Sequence, residues 1–469
     1  VASYYIIQNV GSVLENDNQK GLAHFLEHMA FNGTENFAGK GILNTLEKEG
    51  IVFGKDINAY TSFDETVYNI DNVPTTPELI ETGLQILRDW SNYLLLTDEE
   101  IDAERGVIKE EWRTRQSGQM RILQQTIETM FGGSKYAKRI PIGDMDVIEN
   151  FEYKALRDFY HDWYRTDLQA IAIVGDFDVE EMEAKIKEKF SSIPAVENAP
   201  ERTIVKIDDN EKLLYDIGMD KEVATASISF GIRHNKSLKD ETIIDLGEDL
   251  LNNMISSILG TRFQEISQDP EAPFMAVRAG FGDMTKAHSA FNVQIYPKPE
   301  MQQAAFKLAM AEINRAVKFG FTNAEITRVK AQFTNRYEDQ IAKRNDRTHG
   351  QIVRSIQKNY LENAHLTDIE KEYEIVKVLF NLISQDHLLK RMQDIYTQKN
   401  RSVVVTGVEG KNNLTEEQAN QILNEVENDA TLQPYEEEEE ALSLMTGVNL
   451  VPGKIVTETK NDVLGFTTF

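Results

Sequence analysis

Apolar residues recur at helical spacing from about Gly21 to Met29, where Leu22, Phe25, Leu26 and Met29 share one face. Before them, Tyr4 to Val13 reads as a strand. Residues 79–95 (LIETGLQILRDWSNYLL) predict a second helix and residues 97–115 (TDEEIDAERGVIKEEWRTR) a third. The third opens on Thr97 as N-cap with Glu100 three residues on, as in a capping box, and carries acidic residues in its first turn. Between the first two helices, INAYTSFDETVYNIDNV predicts two strands joined by a polar turn.

Helical YKALRDFYHDWYR leads into LQAIAIVGDFD, a buried strand ending at Gly175. The same order returns in VLFNLISQDHLLKRMQDIYTQKNRSVVVTGVEG, which runs from helix into strand and ends in a glycine turn. This weak internal repeat predicts an α+β chain of two related domains, each an antiparallel-rich mixed sheet with helices on one face. The expected divisions are 1–200, 201–425 and an acidic linker at 426–469. SIPAVENAPERT marks the first boundary, and the run Glu436 to Glu440 is expected to be solvated outside the core. A length of 469 residues suits two domains or more.

The composition removes several functions. A formal net charge of −27 repels nucleic-acid phosphates and anionic lipid surfaces. No apolar run approaches the roughly 18 residues of a transmembrane helix. With no cysteine, thiolate metal sites and disulfides are excluded, and a metal would need His, Asp or Glu. The opening VASYYIIQNVGSVLE carries no basic segment or cleavage site, so no secretory signal is expected within these residues.

The stretch GLAHFLEHMAFNG, residues 21–33, carries the chemistry. On a helix His24 and His28 lie one turn apart and point the same way, with Glu27 beside them. Two imidazoles and a carboxylate suit zinc, whose catalytic sites keep one position open for water. With both histidines as ligands Glu27 is free to act as a base, so a third ligand must come from elsewhere. The helix at 97–115 offers Glu104 and Glu111, seven residues apart and nearly on one face. Either could complete the site while the other hydrogen-bonds a ligating imidazole. The spare glutamate favours zinc and water activation over the oxygen chemistry of a non-haem iron triad. The order HxxEH is itself a metallopeptidase signature, the inverse of HExxH.

With HFLEHMAFNGTENF at 24–37, INAYTSFDETVYNI at 57–70 and ERGVIKEEW at 104–112, the chain resembles the inverted-motif zinc metallopeptidases, the family of pitrilysin, insulin-degrading enzyme and the mitochondrial processing peptidase. The resemblance is strong over roughly 1–200 and architectural to about 425. It implies zinc held by His24, His28 and Glu111, Glu27 as general base, and Glu104 as a supporting carboxylate. Spacing from His28 alone would select Glu104, whereas the ungapped local motif selects Glu111. It further implies that Asn58, Ala59 and Tyr60 belong to an edge strand that receives a peptide substrate by backbone pairing.

The family's clamshell of two halves implies that this chain is the near half, with a C-terminal homologous half as partner and a missing strand before Tyr4. Arg262 in GTRFQEISQ lies in the wrong half to serve as the family's catalytic arginine. A bacterial, exported, periplasmic enzyme is expected, a cytoplasmic one being the alternative. The competing function is a non-catalytic structural or peptide-binding module of a homologous assembly, which a missing Glu27 or histidine would have favoured.

Three minor readings complete the picture. His161 is expected to be partly buried among aromatic residues. Met120, Ile122, Ile127 and Met130 read as core, and Gly280 to Asp283 as a turn.

Overall fold

A computed structural model describes residues 1–236, 242–436 and 453–468. Residues Val1–Pro434 form one compact body and Tyr435–Phe469 a second. The first body contains two sheets and two main hydrophobic cores.

The first sheet is antiparallel throughout. Its strands β1 (Ala2–Gln8), β2 (Ile57–Thr61), β3 (Thr66–Val73) and β4 (Gln169–Gly175) run in the order β2-β3-β1-β4. The near-continuous apolar run of β1 has a direct cause. Tyr4 and Ile6 enter the core beneath the helices, while Ile7 packs on the opposite face with Val67, Ala172, Val353 and Leu361. A central strand covered on both faces has no polar side to alternate with. Helix Leu22–Met29 and helix Pro77–Asn92 lie over the first of these faces, and helix His349–Glu362 from the second half of the chain covers part of the other.

The second sheet is mixed. Strands β5 (Leu214–Gly218), β6 (Ser227–Asn235), β7 (Phe274–Thr285), β8 (His288–Pro297) and β9 (Arg401–Thr406) take the order β5-β9-β6-β8-β7, with only the β5-β9 pair parallel. Alternation is strict here: Phe230, Ile232, Phe291 and Val293 face the helices. Ser229, Asn292, Gln294 and Ser402 line an open cavity of about 730 Å³ on the other side.

Several local expectations change in the folded chain. The opening strand stops at Gln8 and is followed by a single 3-10 turn at Ser12–Leu14. β4 is mostly half-buried rather than buried, because it lies at a sheet edge. The Thr97 hydroxyl accepts from the Glu100 amide at 3.3 Å, but the reciprocal bond of a capping box is not formed among the described residues. Gly280 to Asp283 continue strand β7 instead of turning, and the Ser256 hydroxyl approaches where a Gly280 side chain would stand. His161 and Met130 are exposed. Of the glutamate run, Glu437 to Glu440 lie outside the described residues.

The second body contains a short hairpin, Thr459–Asn461 paired with Phe466–Thr468. The Asn461 side chain accepts from the amides of Val463 and Leu464 and so braces its turn.

Candidate metal centre

The helix Leu22–Met29 is short, and its placement depends on how it begins. Gly21 has φ +97°, and a Cβ there would stand 2.7 Å from the Gly143 backbone, so the entry requires glycine. The buried Glu15 carboxylate accepts from the Gly21 and Ala23 amides at 3.0 and 2.9 Å, satisfying donors that the first turn of a helix leaves open. Burial pushes Glu15 up to about 8, against the pull of the two amides and Arg139.

A carboxyl group raised above its ordinary value favours the folded state at low pH, and this contribution is lost as pH rises through the folded value. The wild type should therefore lose stability relative to Glu15→Gln between about pH 5 and pH 8. Urea midpoints of the two proteins across that range test this, and parallel curves would exclude it.

His24 and His28 lie with ring centroids 4.8 Å apart. Helix Asp98–Arg115 crosses this helix and presents both of its candidate carboxylates to it. Glu111 Oε2 lies 3.5 Å from His24 Nε2 and 3.2 Å from His28 Nε2. Glu104 Oε1 instead meets His28 Nδ1 at 2.8 Å, and Glu104 Oε2 accepts from Asn32 Nδ2 at 2.5 Å. The structure thus brings His24, His28 and Glu111 together, with one donor atom of each within 4.8 Å of the others, and sets Glu104 behind His28.

The donor set fits a zinc ion. Burial and the neighbouring His28 hold His24 down to about 4, so it is a neutral imidazole at neutral pH, the state a ligand requires. Its Nδ1 is buried with no hydrogen-bond partner among the described residues. Burial lowers the His28 affinity for a proton, but its bonds to Glu104 and Glu111 outweigh this and raise it to about 9. The pocket is therefore built to stabilise positive charge at this point. Glu111 is held down to about 2, chiefly by His28, with burial opposing and His24 and Arg115 assisting.

Glu27 is nine-tenths shielded and faces strand β2, where Thr61 Oγ1 donates to its Oε2 at 2.6 Å. Burial raises its proton affinity and the Thr61 bond partly offsets this. Asn58, Ala59 and Tyr60 lie on β2, the outermost strand of the first sheet. Ala59 packs toward the core with Ile57, while Tyr60 is exposed on the opposite face.

Asn32, Thr61 and Arg115 touch this cluster or Glu27, contacts that motif reading did not single out. Two of them carry a local signal: Asn32 follows His28 by four residues, and Arg115 follows Glu111 by four and pairs with it. Thr61 is set apart only by strand alternation, which puts it on the face of Ala59.

Two family models match in tandem, Insulinase (Peptidase family M16) over residues 2–140 and Peptidase M16 inactive domain over 150–333. The probable zinc protease PqqL of Escherichia coli is 30% identical over 392 residues, which are 82% of this chain and 42% of that protein. The crystal structure of the first half of the periplasmic protease PqqL from Escherichia coli superposes with a TM-score of 0.85 at 27% identity, covering 93% of each chain. The crystal structure of that whole protease gives 0.86 at 26% identity, covering 98% of this chain and 51% of the other. The chain spans about half the length of these longer relatives or less. Tandem matches and a shared two-sheet architecture, on a chain that carries the inverted motif at the crossing of two helices, place this protein in peptidase family M16, the insulinase family.

Proposed function

We propose that this protein is a zinc metalloendopeptidase acting on extended peptides, in which His24, His28 and Glu111 hold the ion and Glu27 is the general base. The observation that carries the reading is the convergence of two imidazole nitrogens and a carboxylate oxygen, with a second glutamate, Glu27, on the same helix and held by Thr61. A zinc ion held there supplies Lewis acidity, which polarises a scissile carbonyl and acidifies a water.

Glu27 takes a proton from the attacking water and returns it to the leaving amine, and its raised proton affinity suits both transfers. Thr61 fixes which carboxylate oxygen is free to do so. Glu104 holds the His28 ring by Nδ1, so that Nε2 is the atom offered to the ion. The free edge of β2 at Asn58, Ala59 and Tyr60 offers backbone groups to an extended chain, a mode of binding with little dependence on sequence.

The longer relatives support a homologous C-terminal half as the partner that closes over the peptide. The description of one such relative as periplasmic supports an exported, periplasmic setting. Among the described residues no helix is long and apolar enough to cross a membrane. Within the chain, we place the catalytic domain at 1–200, a related second domain at 201–425 and a linker at 426–469, a division supported by one core that draws on residues up to Ile207 and another that begins at Ile228.

Elemental analysis of the purified protein tests the site. About one zinc per chain is expected, lost in Glu111→Ala. Glu104→Ala should still bind, with affinity reduced about 10- to 100-fold. A folded protein that takes up no zinc after reconstitution would replace the peptidase reading with the non-catalytic module.

A further inference from the structure

The outer face of the first sheet is partly covered by a helix from the second half of the chain. Helix His349–Glu362, although it belongs to the second half of the chain, packs on this face through Val353 and Leu361. Between the helix and strands β1 to β3 lies a cavity of about 410 Å³, floored by Tyr5, Val67 and Asn69 and opening beside Tyr60 of the edge strand. Tyr60 is tied to the helix: its hydroxyl donates to Glu65 Oε1 at 2.9 Å and accepts from Gln357 Nε2 at 2.5 Å.

The helix lines this cavity with Arg354 and Lys358. Both are exposed, and neither forms an ion pair among the described residues. They stand four residues apart, where like charges repel, so the pair is unfavourable to the helix itself. The cavity's carboxylates are engaged elsewhere, Glu65 with Tyr60 and Gln357 and Glu362 with Lys236. In a protein of net charge −27, Arg354 and Lys358 thus line the cavity without a direct ion-pair partner among the described residues, in company with the Glu65 and Glu362 carboxylates and next to Tyr60 of the proposed peptide edge.

A peptide added to β2 would direct alternate side chains to opposite faces of the sheet. One set points to the Ala59 and Thr61 side, where Glu27 stands. The other set points to the Tyr60 side, about one inter-strand spacing of 4.8 Å beyond β2, the face on which Tyr60 shares a cavity with Arg354 and Lys358. We infer that the groove between β2 and helix His349–Glu362 is a specificity subsite in which Arg354 and Lys358 receive an acidic side chain of the bound peptide. This rests on the peptide-edge reading above and adds to it a charge preference with a period of two.

The test is binding, measured by fluorescence anisotropy with zinc-loaded Glu27→Gln protein so that peptides stay intact. The probes are a labelled uncharged extended peptide and derivatives with one Glu or one Lys at successive positions. Glu at alternate positions should tighten binding about tenfold at low salt and Lys at the same positions should weaken it. In the Arg354→Glu, Lys358→Glu double variant this order should reverse, with the circular dichroism spectrum of the folded protein retained. A parent peptide that binds with no effect of Glu, or with an effect that survives charge reversal, overturns the subsite and leaves the edge reading standing. If no peptide binds at all, both fall.

Discussion

Glu27→Gln is expected to keep the fold and the zinc while lowering peptide hydrolysis about 10²- to 10⁴-fold, the usual contribution of a positioned general base. The substitution is close in shape, and a glutamine carbonyl oxygen can still accept the Thr61 hydroxyl that now bonds Glu27 Oε2 at 2.6 Å. It cannot take a proton from water. Zinc stoichiometry and the melting temperature should match the wild type, because Glu27 is outside the cluster formed by His24, His28 and Glu111. Hydrolysis within about threefold of wild type at equal zinc content would remove Glu27 from the chemistry and move the base elsewhere.

The largest expected loss of stability lies far from this chemistry, at Arg262. Its side chain is 1% exposed within helix Ile243–Gln268. Nε and Nη2 donate to the two oxygens of Glu325 at 2.6 and 2.8 Å, Nη1 donates to Glu312 at 2.9 Å, and Nη2 reaches the Gly320 carbonyl at 3.2 Å. Glu325 also receives the Thr322 amide in the capping box of helix Asn323–Ala342, so one guanidinium ties together three helices. Arg262→Ala should cost about 3–5 kcal/mol, because it removes the counter-charge bound to buried Glu325 and leaves buried Glu312 with Arg315 alone. Arg262→Met with Glu312→Leu and Glu325→Gln should recover much of this, since the penalty comes from the unpaired charges rather than from lost attraction. Urea denaturation measures both. Equal losses in the two variants would assign the effect to packing instead. The arginine is thus a structural anchor among three helices in the second half of the chain, remote from the motif helix.

Legibility differed by element. The strands of INAYTSFDETVYNIDNV were readable because alternation and a polar turn are local properties, and they form β2 and β3 with Thr61 opposite Thr66. The strand ending at Gly175 was readable as a strand but not as an edge, since sequence does not say which neighbour is absent. The turn expected at Gly280 to Asp283 is instead continuous strand, where Gly280 answers a close approach by Ser256 and Gly282 stands in open space. Helix His349–Glu362 gave no sign that it would cover a sheet more than 170 residues earlier in the chain. A contact of that range leaves only an apolar stripe, which fits any partner.

The metal centre divides along the same line. By itself the sequence determined that His24 and His28 act as a pair and that Glu27 stands beside them, because one helical turn is a local geometry that needs no partner. It also limited the third donor to Glu104 or Glu111, which share a face. Helix geometry could not choose between them, since seven residues separate them by about 10 Å along the axis and the choice depends on where two helices cross; only the family resemblance pointed to Glu111. Only the tertiary structure set Glu111 against both Nε2 atoms and Glu104 against His28 Nδ1. The Thr61 bond to Glu27 and the Glu15 cap on the motif helix were decided there too. Each joins segments whose approach is fixed by packing of the whole domain, and no local preference encodes it.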